Sequence, residues 1–212
     1  MKIRIWDLPL RTFHWLLVIT ILCSFIAVKI GGNAMTWHAL FGYLVIALMA
    51  FRLIWGFIGS YHARFINFIK SPRSIIEYFK NPLPTPGHSP LGAVAVVVLI
   101  TLFTAQALAG LFASDDIAFD GPLAKYVPSY WVELLTSLHR LNEPVLMGLI
   151  LIHLTAIFYY KIFKKQDLIK PMLTGDKNWT EKIPVSRDDL SQRLIATFIF
   201  GSIIGILYYF LR

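Results

Sequence analysis

"HRLNEPVLMGLILIH", running from His139 to His153, decides how this chain folds. From Pro144 to Ile152 it offers only apolar residues and Gly148, yet a histidine stands at each end. The surrounding sequence has the same character. Of its 212 residues 57% are hydrophobic, and the mean hydropathy of +0.63 is far above that of a soluble domain. A bilayer core about 30 Å thick takes roughly 20 apolar residues per helix. Five runs reach that length, at 13–30, 38–59, 91–113, 139–163 and 193–211. The expected fold class is all-α, an integral membrane helical bundle. The first run also has the basic flank of a signal peptide in Lys2, Arg4 and Arg11, but no A-x-A-like cleavage site follows it.

Charge orients the bundle, because Lys and Arg in short loops are retained on the cytoplasmic side. Lys2, Arg4 and Arg11 precede the first run, Arg64, Lys70, Arg73 and Lys80 lie between the second and third, and Lys161 to Arg187 includes seven basic residues after the fourth. The alternate loops hold little beyond Lys29, Lys125 and Arg140, and the loop before the fourth run carries Asp115, Asp116, Asp120 and Glu133. These segments place the N-terminus in the cytoplasm and the C-terminus outside. The net charge of +8 sits on segments facing anionic lipid, so no nucleic-acid partner is required. Cys23 is the only cysteine, which excludes a disulfide framework, a CxxC metal site and a c-type haem attachment. Its position in the first run is that of a small buried apolar residue.

No internal repeat or second domain stands out, and one domain over residues 1–212 is expected. "KNPLPTPGHSP" (Lys80 to Pro90), with four prolines, is a linker into the third span. "GGN" (Gly31 to Asn33) is a tight external turn, "FASDDIAFDGP" (Phe112 to Pro122) opens a longer external loop, and the polar stretch 164–192 is a loop with some local structure.

Of six histidines, His14, His38, His139 and His153 fall at or inside predicted spans, where an ionisable group usually faces the bundle interior. Any one of them is also explained by an interhelical hydrogen bond. Their spacing says more. The 14 residues from His139 to His153 cover roughly 21 Å of helix and return to within about 40° of the same face. Given the orientation above, His14 lies at the depth of His153 and His38 at that of His139. Two bis-histidine pairs at two depths suit two haems, each iron taking one axial nitrogen from either side. A zinc site would gather three or four ligands at one depth. Arg52 follows His38 by the same 14 residues, so it shares that face at the depth of His14 and His153, where a haem propionate would balance it; snorkelling to headgroups is the alternative. Gly42 and Gly148 suit close approach of a macrocycle or of another helix. His62 and His88 fall in the cytoplasmic loop, where a solvated or headgroup-contacting imidazole is expected. Trp6, Trp15, Trp37, Trp55 and Trp131 fall near span ends, as interfacial anchors do.

Together, "WDLPLRTFHW" (Trp6 to Trp15), "WHALFGYLVIALMAFRLIWGFIGS" (Trp37 to Ser60), "GHSPLGA" (Gly87 to Ala93) and "HRLNEPVLMGLILIH" resemble the bacterial cytochrome b561 and nickel-iron hydrogenase cytochrome b family over about residues 5–178. The resemblance implies a four-helix core carrying two haem b groups with His14, His38, His139 and His153 as ligands. It also implies electron passage between the quinone pool and a periplasmic partner, such as a c-type cytochrome or a redox enzyme. The fifth span, about 193–211, is a departure from the short members. The chain then acts as an electron-transfer subunit or as an oxidoreductase component. Two other functions compete. One is superoxide oxidation coupled to quinone reduction, which the acidic external loop disfavours. The other is a histidine-relay transporter of metal or protons, for which no inverted repeat is visible.

Overall fold

The computed structural model describes residues 1–116 and 119–211; Ile117 and Ala118 of the expected external loop, and Arg212, lie outside the described residues. Helices dominate. In chain order they are α1 (Leu8–Ile30), α2 (Met35–Ile58), α3 (Phe65–Phe68), α4 (Pro72–Lys80), α5 (Pro90–Gly110), α6 (Ser129–Ile162), α7 (Ile169–Thr174) and α8 (Leu190–Leu211). Two short strands, β1 (Lys2–Arg4) and β2 (Asp176–Asn178), pair antiparallel with Ile3 opposite Lys177. Among the described residues α1, α2, α5, α6 and α8 are long and apolar enough to cross a membrane, and the protein is a multi-pass membrane protein of the all-α class.

Polar caps set where these helices begin. Asp7 accepts the Leu10 N–H at 2.7 Å ahead of α1, and Ser89 accepts the Gly92 N–H at 3.1 Å ahead of α5. Asp189 accepts the Gln192 N–H at 3.0 Å ahead of α8. Each satisfies an amide that the first helical turn leaves without a carbonyl. Pro90, directly after its cap, has no N–H to satisfy. The α6 helix begins ten residues before His139. With 34 residues it extends roughly 51 Å, well beyond a 30 Å bilayer core.

The chain forms two compact units. The first comprises Met1–His14, Phe51–Val98 and Leu151–Ile199; the second comprises Trp15–Ala50, Leu99–Ile150 and Phe200–Arg212.

The polar stretch 164–192 is more ordered than a loop, because the N-terminus folds onto it within the first unit. Gly175, at φ 86°, ends α7, and its carbonyl accepts the N–H groups of Ile5 and Trp6 at 2.9 and 3.1 Å. A Cβ at Gly175 would meet the Trp6 carbonyl oxygen at 2.6 Å, so both the left-handed backbone and the close approach require glycine. Ser186 donates its hydroxyl to the Ile5 carbonyl at 2.6 Å. Arg4 pairs with Asp176 at 2.6 Å and with Asp188, which also receives Arg193 at 3.1 Å.

The second unit is knit together by α6 side chains that bond backbone groups of other segments. Asn142 of α6 donates to the Leu102 carbonyl of α5 at 3.0 Å, and Ser114 N–H donates to Thr136 Oγ1 at 3.0 Å. Lys29 and Glu143 form an exposed pair at 3.4 Å. Gly31 and Gly32, at φ 70° and 53°, make the turn between α1 and α2.

Candidate functional site

Each unit holds one of the two histidine pairs that the spacing singles out. In the second unit α2 presents His38 and α6 presents His139, with ring centres 6.1 Å apart and planes at 87°. Both are held at the same ring atom. His38 Nδ1 lies 3.1 Å from the Ser24 carbonyl and 2.9 Å from its hydroxyl, and His139 Nδ1 lies 2.9 Å from the Gln106 carbonyl. A carbonyl only accepts, so each neutral ring carries its proton on Nδ1 and keeps a lone pair on Nε2. That is the preparation a metal-binding imidazole needs.

The two rings line a cavity of about 490 Å³, within the range of about 300–1,000 Å³ common for cofactor sites. Phe25, Val45, Phe103 and Leu146 give it apolar walls. Gly42 also lines it, and a Cβ there would meet nothing within 4 Å; the same holds beside Gly148. Gly110 is different. A Cβ at that position would sit 3.0 Å from His139 Cε1 and 3.2 Å from its Nδ1, so the missing side chain is what admits the ring.

These residues fit a haem. Two imidazoles bound to one metal at about 2 Å each would hold their ring centres roughly 6 Å apart, close to the separation found. Among the described residues no group of three or more His, Cys, Asp or Glu side chains converges as a metal site. Haem iron asks the protein for only two axial nitrogens.

In the first unit His14 on α1 and His153 on α6 are close enough to interact electrostatically. Arg52 belongs to the same unit and is only 2% exposed, which removes the snorkelling alternative. Its guanidinium carbon stacks 4.7 Å from the Phe65 ring centre, while Nη1 is buried without a hydrogen-bond partner. A buried cation with an open donor fits the carboxylate of a haem propionate.

Several expectations are corrected here. His62 is 8% exposed and bonds through Nε2 to the Pro184 carbonyl at 2.9 Å. His88 packs 4.7 Å from the Trp6 ring and 4.3 Å from the Phe68 ring. Neither is a solvated loop imidazole, because the 60–63 and 81–89 segments fold against the N-terminus. Burial lowers both basicities, His88 to about 3, where Arg52 and His62 add to the effect. Trp6 and Trp55 are likewise buried, whereas Trp37 and Trp131 are exposed as interfacial anchors should be. Trp55 can lie inside because its indole N–H finds Asp7 Oδ2 at 3.1 Å.

Asp7, Ser24, Gln106 and Gly110 escaped the sequence reading. Asp7 is fully buried and accepts from Leu10 N–H, Trp55 Nε1–H and the Ser60 hydroxyl. Burial raises its pKa above the usual carboxylate range in spite of these donors. Ser24 and Gln106 orient the rings through backbone carbonyls, which no side chain announces, and the roles of Asp7 and Gly110 appear only in three dimensions.

Comparison with known proteins agrees with this chemistry. The chain is 22% identical to a probable Ni/Fe-hydrogenase B-type cytochrome subunit of Bradyrhizobium diazoefficiens, covering 84% of this chain and 87% of that protein. It is 21% identical to a protein of the same description from Rhizobium leguminosarum bv. viciae, covering 85% and 91%. No solved structure matches. The family model of the prokaryotic cytochrome b561 matches residues 5–175. With most of its length matched and two histidine pairs on its membrane helices, the chain belongs to the prokaryotic cytochrome b561 family, whose members serve membrane electron transfer with b-type haem.

Proposed function

We propose that this protein carries electrons across a bacterial inner membrane between the quinone pool and an external redox partner, through two b-type haems. His14 and His153 hold one, and His38 and His139 hold the other. The observation that carries this reading is the His38–His139 pair: two rings 6.1 Å apart, each fixed by a backbone carbonyl at Nδ1, on a cavity sized for a cofactor.

Bound haem supplies one-electron chemistry at a potential tuned by its surroundings. The chain's own residues do the rest. The Ser24 and Gln106 carbonyls fix the tautomer and orientation of the two imidazoles, and so raise their basicity as ligands. Gly42 and Gly110 leave the space that the macrocycle and the His139 ring require. The apolar walls exclude water. In the first unit Arg52 supplies the cation for a propionate.

The charge distribution supports an orientation with the N-terminus in the cytoplasm and the C-terminus in the periplasm, in which the His38–His139 haem faces the external partner. The relatives named as hydrogenase cytochrome subunits favour a redox enzyme as that partner. Two haems on one chain are the central expectation. A pyridine haemochrome assay of the purified protein should give two haems b per chain; one or none would overturn the proposal. Quinol-dependent reduction of both haems in membranes tests the quinone link.

A further inference from the structure

Two neighbouring side chains of the first unit carry buried hydrogen-bonding atoms that no protein group meets: Arg52 Nη1 and His88 Nδ1. Phe68 lies beside both. Its ring centre is 5.9 Å from the Arg52 guanidinium carbon and 4.3 Å from the centre of the His88 imidazole. A buried donor left unmet destabilises the fold, and a buried cation without an anion does so more. Two such atoms on groups that flank one ring describe a site for something the chain itself does not provide.

The protein's own candidates are already engaged. Asp7 is the carboxylate that interacts electrostatically with Arg52, but its oxygens accept from Leu10, Trp55 and Ser60. His62 donates toward the Pro184 carbonyl, and its Nδ1 lies against Gly87. The missing group must be an anion with two acceptor oxygens, one for a guanidinium and one for a neutral imidazole. Burial keeps that imidazole uncharged, with one N–H to donate.

We propose that Arg52 and His88 together bind one propionate carboxylate of the haem held by His14 and His153, His88 being a ligand to that carboxylate and not to iron. The inference rests on the haem assignment above. It gives His88 a function that its place beside the "GHSP" turn did not suggest, and it makes the propionate contact a joint site on α2 and the segment before α5.

The test is redox-difference infrared spectroscopy of the whole protein carrying haem labelled with ¹³C at the propionate carboxyls, together with redox titration of both haems. In His88→Leu the labelled carboxylate band should move, and the potential of the His14/His153 haem should fall because the ferrous form loses a stabilising donor. The other haem should stay where it is. His88→Asn places an amide N–H near the former Nδ1 and should restore both readouts toward wild type, which a merely structural role for His88 would not do. An unmoved band and potential in His88→Leu, with both haems bound, would overturn the inference while leaving the haem assignment intact. Should His88→Leu fail to assemble, His88→Phe, which keeps a ring against Trp6 and Phe68 but has no N–H, takes its place: a displaced band supports the contact and an unmoved one refutes it. Wild-type protein lacking a haem at His14 and His153 would defeat both readings together.

Discussion

The two units solve the same problem with different chemistry. Around His38 and His139 the protein uses backbone carbonyls, a glycine at position 110 and apolar walls, with its ion pair Lys29–Glu143 left exposed. The unit that holds His14 and His153 buries charge instead: Arg52 at 2% exposure and Asp7 fully enclosed, with Asp188 pairing Arg4 and the exposed Arg193 elsewhere in the same unit. One site is tuned by position and the other by electrostatics. For the two haems proposed above, such unequal surroundings would give unequal potentials, which suits an electron conduit.

The largest effect that can break the comparison is loss of one haem at a time. His38→Ala and His139→Ala should each remove the same spectral component, and His14→Ala and His153→Ala should each remove the other. Low-temperature difference spectra of membranes resolve this. If His14→Ala and His38→Ala abolished one shared component and spared the other, the pairing would be wrong.

A smaller effect probes the steric tuning of the second unit. A Cβ at Gly110 would press on the His139 ring at 3.0 Å, forcing it away from the Gln106 carbonyl. Gly110→Ala should therefore shift and broaden the spectrum of the His38/His139 haem and lower its occupancy several-fold, in keeping with the roughly 10–100-fold cost of disturbing groups that orient a metal ligand. Gly201→Ala, where an added Cβ meets nothing within 4 Å, should be silent. Equal spectra for both variants would mean that the His139 ring is not held by this contact.

What could be read in advance followed the same divide. Five spans and the four histidines were legible because hydropathy and helical period are local properties of a sequence. Arg52 was placed on the interior face by the 14-residue offset alone. The ordering of 176–188 on the N-terminus was not legible. It depends on Ile5, Ser60 and Ser186 meeting from positions up to 181 residues apart. The same distant packing turned Trp6, Trp55, His62 and His88 from surface expectations into buried groups. Ser24 also escaped notice, because its carbonyl matters only once α1 and α2 pack with His38 beside it.

Charge tuning of the first unit predicts a third, more modest effect. Arg52→Leu removes the cation proposed to face a propionate, so the electron-richer ferrous state loses stabilisation and the potential of the His14/His153 haem should fall. A change on the order of tenfold in the reduction equilibrium corresponds to about 59 mV for one electron. The His38/His139 haem should move far less. Redox titration showing neither haem displaced would leave Arg52 as a structural cation stacked on Phe65.

The smallest effect concerns Asp7, and it sharpens the comparison most. Because burial holds the carboxyl pKa above its unfolded value, the folded state binds this proton more tightly than the unfolded state does. Asp7 then contributes stability that is fully present below the unfolded pKa and is lost as pH rises through the folded one. Asn at this position mimics the protonated acid: its carbonyl can accept from the Leu10 N–H, and its NH2 group takes the place of Oδ2, where it can donate to the Ser60 hydroxyl. The unfolding temperature of wild type in detergent, less that of Asp7→Asn, should therefore increase as the pH is lowered from 7 to 4. The amplitude scales with the difference between the folded and unfolded pKa, at about 1.36 kcal/mol per unit. A difference that instead shrank on acidification would show that Asp7 is stabilised as an anion. It would then be the counter-charge of Arg52, no propionate would be needed to balance that guanidinium, and the electrostatic account of the first unit would pass from the haem to the protein itself.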